Sequence, residues 1–261
     1  FGVFVPDINE YRVTTDYNST DNFICFNNQA TLEGSIILKP TGLIGSGKML
    51  LNKFNVTSNQ FSYNANWFAS DTADLIIFSE DKDILFKSNN LRTRIDLDDQ
   101  EGTFFSNGKG SYVEMLENKY ICYIDNLHWN MDTDILSLGY EQSSGLGSKF
   151  VSIHSDQDSL SFTSKESIYD LNKNIIKVFD VDPIFVGDAI VILPASGLTI
   201  MKSAYIPKID SAKIIMDKEF KYHEFNQSSI NILGKFNYNA SGNYTYIDEI
   251  GDSKVLFFDT I

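Results

Sequence analysis

Leu91-Arg-Thr-Arg-Ile-Asp-Leu-Asp98 is the stretch on which the fold turns. Leu91, Thr93, Ile95 and Leu97 point one way along an extended chain, and Arg92, Arg94, Asp96 and Asp98 point the other, because side chains of a strand alternate between its faces. A helix of about 3.6 residues per turn would scatter the same apolar residues around its axis. The segment is therefore a strand with one buried and one solvated face.

The same period of two recurs at Leu160/Phe162, Ala212/Ile214/Met216, Ile230/Ile232 and Phe236/Tyr238. Turn-forming clusters stand between such runs: residues 80–83 (Glu-Asp-Lys-Asp), 88–90 (Ser-Asn-Asn), 107–110 (Asn-Gly-Lys-Gly), 172–174 (Asn-Lys-Asn) and 239–243 (Asn-Ala-Ser-Gly-Asn). Short strands at this spacing build sandwiches, barrels and β-solenoids. Helical text is scarce. Residues 111–114 (Ser-Tyr-Val-Glu) read equally as a capping box or a strand, and the absence of crossover helices excludes a doubly wound sheet.

The chain has 261 residues, 43% of them apolar, with 20 Phe and 13 Tyr, enough to bury a large core and too much for a disordered segment. Its formal charge of -14 repels phosphate backbones and anionic headgroups, so nucleic acid and membrane surfaces are poor partners. No apolar run is long enough to cross a bilayer as a helix. The two cysteines, Cys25 and Cys122, sit among apolar neighbours, and two positions leave open whether they pair. Strand-like text at both ends, without an initiator methionine, reads as a mature fragment or one segment of a longer polypeptide. Two regions are expected: an N-terminal β region over 1–110, and a β-repeat region over 111–261 continuous with it.

From Ser159 to Asp217, strand-length apolar pieces follow one another with Asp, Asn, Gly or Pro at each break and no strict period. The succession SLSF, SIYDLNKNIIKVFDV, DAIVIL, GLTIMKSAYI, SAKIIMD resembles the strand-turn-strand cadence of OstA-like repeats in periplasmic lipopolysaccharide-transport proteins. It is also similar to long β-repeat envelope proteins. The resemblance covers the second half of the chain, rests on cadence and carries over no functional residue. It implies a grooved, open-ended β-jelly roll in an extracytoplasmic setting, the periplasm or cell surface, with lipid or glycolipid as the implied cargo. The fold expected is all-β: an elongated solenoid or open-ended jelly roll of short strands with little helix.

Residues 42–49, GLIGSGKM, match the G-x-x-x-x-G-K portion of a phosphate-binding loop at Gly42, Gly47 and Lys48. Met49 stands where a magnesium-binding Ser or Thr is required, and no helix-forming text follows. A glycine turn between two strands is the reading taken. His128, His154 and His223 fit no metal spacing, and neither a G-x-S-x-G elbow nor a Cys-His setting occurs. No catalytic or cofactor-binding residue is assigned. Acidic clusters at Asp96, Asp98, Asp99 and Glu101, at Asp132 and Asp134, and at Asp180 and Asp182 could offer oxygen ligands to calcium, or paired carboxylates to a glycosidase. Tyr at alternate positions in residues 118–129 and 235–248 reads as core, or on an exposed sheet as a stacking surface for sugars.

The function expected is a non-enzymatic extracytoplasmic scaffold or interaction surface. Its partners would be other envelope proteins, neighbouring modules of the same chain, or a lipid or glycan. The alternative is a carbohydrate-active or carbohydrate-binding β protein using Asp/Glu pairs and Tyr stacking.

Overall fold

The computed structural model describes residues 2–5, 10–14, 22–108, 110–139, 147–217 and 219–261. Phe1 and residues 6–9 of the opening stretch, and Lys109 of the turn at 107–110, lie outside the described residues. In chain order the first twelve strands are β1 (Gly2–Val5), β2 (Glu10–Thr14), β3 (Phe23–Cys25), β4 (Ala30–Lys39), β5 (Gly42–Leu50), β6 (Phe54–Tyr63), β7 (Trp67–Phe78), β8 (Ile84–Ser88), β9 (Leu91–Asp96), β10 (Glu101–Ser106), β11 (Val113–Met115) and β12 (Tyr120–Tyr123). The remainder are β13 (Asn126–Asn130), β14 (Ile135–Leu138), β15 (Ser148–Ser152), β16 (Ser161–Asp170), β17 (Ile175–Val181), β18 (Ile184–Val186), β19 (Ala189–Ile192), β20 (Leu198–Ile200), β21 (Ile209–Met216), β22 (His223–Ile232), β23 (Tyr238–Ile247) and β24 (Ser253–Phe258). Among the described residues, helical geometry is confined to two single 3-10 turns, Ser155–Gln157 and Lys202–Ala204.

The chain forms two compact units: Phe1–Leu116 with Ile124–Leu136, and Glu117–Tyr123 with Ser137–Ile261. In the first unit β2, β4, β5, β6 and β7 follow one another as an antiparallel meander, with β1 on the free edge of β2 and β3 on β4. β7 has β6 along one edge and carries two strands in tandem on the other: its first half pairs β9 and its last residues pair β8. β9 continues to β10 and β13, and β8 to β11. Alternation along β9 sends Leu91, Thr93 and Ile95 into the core and leaves Arg92 and Arg94 exposed, as residues 91–98 dictate. Phe61, Phe68, Leu75, Phe86, Phe104 and Trp129 are completely buried there. Each such side chain contributes about 1.5–3 kcal/mol by leaving water.

In the second unit β12, β15, β16, β17 and β20 pair in that order, and β18, β19, β21, β22, β23 and β24 form a separate six-stranded sheet. Its buried polar side chains are bonded to one another and to backbone carbonyls. Tyr120 donates to Gln157 Oε1 at 2.9 Å, Gln157 Nε2 donates to the Ala204 carbonyl at 2.7 Å, and Asn118 Nδ2 donates to the Asn174 carbonyl at 2.8 Å.

The all-β class holds, but the elongated solenoid and the open-ended jelly roll are corrected: the strands close as an antiparallel barrel with outer strands. A solenoid stacks successive coils, whereas here consecutive strands return directly on one another through tight turns. Strands of 10 and 12 residues, β6 and β7, also exceed a single rung. Three local readings change too. Residues 42–49 are strand rather than a turn, the reversal being made at 40–41. Residues 239–243 lie inside β23, where Gly242 pairs with Phe258. Phe236 precedes β23 and is exposed. The ambiguous stretch at 111–114 resolves as strand, entering β11 at Val113.

Candidate functional site

The first unit presents a concave polar groove of about 580 Å³ on the outer face of β6, β7, β9 and β10. Its shape begins with two serines. Ser58 on β6 and Ser70 on β7 are buried, with hydroxyl oxygens 2.7 Å apart. Each folds its own strand back on itself: Gln60 N–H donates to Ser58 Oγ at 3.0 Å, and Thr72 N–H donates to Ser70 Oγ at 3.1 Å. Ser58 Oγ also reaches the Thr72 carbonyl at 2.8 Å. Residues 59–61 and 70–72 consequently drop out of the β6–β7 ladder, and both strands carry register shifts against their other neighbours, β5 and β9. Such bulges bend a strand and re-aim its side chains. Here they put Asn59, Gln60, Asp71 and Thr72 on the groove wall.

The floor is cationic and aromatic. Arg94 stands between Ala69 of β7 and Thr103 of β10 in the cross-strand register, and Arg92 lies directly opposite Phe105. The Arg94 guanidinium carbon is 4.3 Å from the centroid of the Trp67 ring, and that of Arg92 is 4.8 Å from the Phe105 ring. Rings at this distance attract the cation and restrict where it sits. Asp96 is the nearest carboxylate to Arg94, at a loose 3.9 Å. Among the described residues no ion pair engages Arg92, and Asp71 is the one acidic residue of the lining.

The acidic residues singled out by sequence lie outside this groove. Asp96 accepts the Asp98 and Asp99 N–H groups at 3.2 and 3.3 Å, closing the β9–β10 turn, and Asp98 accepts from Asn66 Nδ2. Glu101 lies 3.5 Å from His128. Lys53 holds Asp134 at 2.6 Å, and Lys165 holds Asp180 at 3.0 Å. Asp132 lines a second groove, of about 520 Å³, with Lys53 and buried Trp129, while the Asp182 N–H bonds the Thr163 carbonyl. Among the described residues no group of three His, Cys, Asp or Glu side chains is placed to share a metal ion.

Lys48 sits within β5 opposite Glu33, so the phosphate-loop match has no loop. Its glycines serve packing. Gly47 lies opposite Gly34 at a φ of 124°, and a Cβ on Gly45 would come within 2.0 Å of the Tyr63 hydroxyl oxygen, whose ring covers it. Cys25 and Cys122 are both free thiols. Burial pushes each thiol upward, Cys122 the further, so neither is a ready thiolate. His154 caps the 3-10 turn, its Nδ1 accepting the Asp156 N–H, and His223 contacts the Tyr244 hydroxyl at 3.2 Å. Of the tyrosines, Tyr120 is core, while Tyr123 and Tyr246 are exposed.

Comparison with protein-family models, curated proteins and solved structures gives no match. The outward direction of Arg92 and Arg94 was legible in the alternation of residues 91–98. The groove was not, because it depends on Ser58-Asn-Gln60 facing Ser70-Asp-Thr72 across a hairpin. Two Ser-x-x triplets equidistant from the turn at 64–66 are the signal that could have exposed it.

Proposed function

We propose that the chain is a non-enzymatic extracytoplasmic binding module whose groove on β6, β7, β9 and β10 takes a saccharide. One observation carries this reading: two arginines braced on aromatic rings share a groove with amide and hydroxyl side chains, the donor and acceptor set that matches sugar hydroxyls. A glycosidase needs two carboxylates across the scissile bond, and the lining offers Asp71 alone. Ten of the twelve lining residues are polar or charged, which favours a hydroxyl-rich ligand over a lipid chain. A glycan array probed with the intact chain tests the reading. Binding of a saccharide class that is lost in Gln60→Ala supports it, and absence of binding across the array overturns it.

A second reading, docking through a sheet edge, is favoured by β24. All six of its residues are exposed, including Val255, Leu256, Phe257 and Phe258, and among the described residues its ladder is with β23 alone. An apolar edge of this kind is a template for strand addition. Protection of β24 amides from hydrogen exchange in a complex with a neighbouring module would support it. A complex that leaves them unprotected would not.

A further inference from the structure

Resting on the saccharide reading above, we infer that the groove selects acidic saccharides, with the carboxylate of a uronic or sialic acid held by Arg92 and Arg94. The two arginines occupy alternate positions of one strand, which sets their Cα atoms about 6.5–7 Å apart on the same face. Like charges so placed repel, and a chain with 35 acidic against 21 basic residues has ample means to neutralise them. It does so weakly: Arg94 has Asp96 at 3.9 Å, and among the described residues Arg92 is in no ion pair. The cross-strand positions beside the two arginines carry Ala69, Thr103 and Phe105, while Glu101 lies opposite Asp96 at the end of the ladder and 3.5 Å from His128.

The guanidinium carbons lie 4.3 Å over the Trp67 ring and 4.8 Å over the Phe105 ring, and a guanidinium so placed can still offer its fork of N–H donors to a planar bidentate acceptor. A carboxylate has that geometry, while a sugar hydroxyl offers one lone-pair direction at a time. Gln60, Asn59 and Thr72 on the bulged wall are placed to bond the hydroxyls of the same residue or its neighbour. Asp71 opposes a second negative charge at that side, so the charge of the ligand is expected over β9 rather than over the β6–β7 bulge.

The test is a glycan array carrying uronic-acid and sialic-acid saccharides beside their neutral parents and the uronic-acid methyl esters, followed by calorimetric titration of the best binder. The expected result is at least a tenfold preference for the free acid over its ester or neutral parent. That preference should weaken with salt and fall to near unity in Arg92→Gln/Arg94→Gln, whose thermal midpoint falls by only about 2–4 °C because both side chains are exposed and lose only surface cation–π contacts. Preference for uronates over sialates, or the reverse, identifies the source of the carboxylate. Equal binding of acid, ester and neutral parent overturns the selectivity while leaving the saccharide reading intact. Absence of binding to all of them overturns both.

Discussion

Arg94 lies over the indole of Trp67, guanidinium carbon to ring centroid 4.3 Å, across the junction of β9 and β7. The Arg94 side chain is half-exposed, and at such sites the attraction is about 0.5–1 kcal/mol. A double-mutant cycle of Trp67→Ala and Arg94→Ala, followed by urea denaturation, should return a coupling of that size. A coupling near zero would show that the ring only borders the guanidinium.

The bulge under the groove should be more costly to disturb. Ser58→Ala removes the acceptor of the Gln60 N–H and the partner of Ser70 Oγ in a buried setting. Gln60 is exposed and Ser70 Oγ keeps the Thr72 carbonyl at 2.9 Å, so the loss is that of ordinary hydrogen bonds, about 0.5–1.5 kcal/mol each, and should appear as a lower urea midpoint with an unchanged slope.

Gly45 and Tyr63 make an unequal pair. Gly45→Ala places a Cβ within 2.0 Å of the Tyr63 hydroxyl oxygen and should destabilise by more than about 1 kcal/mol, the usual cost of overpacking. Tyr63→Phe removes a buried hydroxyl that has no hydrogen-bond partner among the described residues, so it should cost less than about 0.5 kcal/mol or stabilise. Thermal melts of the two variants rank them.

Alkaline pH should unfold the protein through its buried phenols. Burial pushes the hydroxyls of Tyr63, Tyr120 and Tyr169 above the ordinary value of 10, with Cys25 adding to the effect at Tyr63, and Glu117 and Asp170 at Tyr169. A group with a raised folded-state pKa contributes stability that is whole below its unfolded value and shrinks as pH climbs above it. Absorbance at about 295 nm should therefore show exposed tyrosines ionising near pH 10. Further ionisation should coincide with loss of the β circular dichroism signal. Ionisation of all 13 tyrosines before unfolding would refute the assignment.

Phe257→Lys should reduce self-association of the chain at high concentration. The substitution puts a charge on an apolar edge strand, a device that blocks strand addition, and Phe257 is 67% exposed, so the fold should be unaffected. Light scattering against concentration reads the difference.

Strand character was legible wherever one face is buried and the other wet, as at β9, because alternation encodes which side meets the core. It was misread where glycine or asparagine sits inside a sheet for a packing reason. GLIGSGKM reads as a turn until Gly47 is seen facing Gly34 and Gly45 lying under Tyr63. Asn-Ala-Ser-Gly-Asn at 239–243 likewise pairs on both sides, with β22 and β24. Acidic residues drew attention as metal ligands because composition shows their number and not their partners. Lys53 lies 81 positions from Asp134, a separation that no local pattern conveys.

β7 borders three strands, since β8 and β9 share one of its edges in succession. Cleaving the backbone near residues 71–72 would sever the stretch that keeps those two neighbours in line, leaving neither flank a complete partner. The first unit is thus expected to melt as a whole rather than shed strands from its margins, with the amides of β7 the last to trade their protons for deuterium.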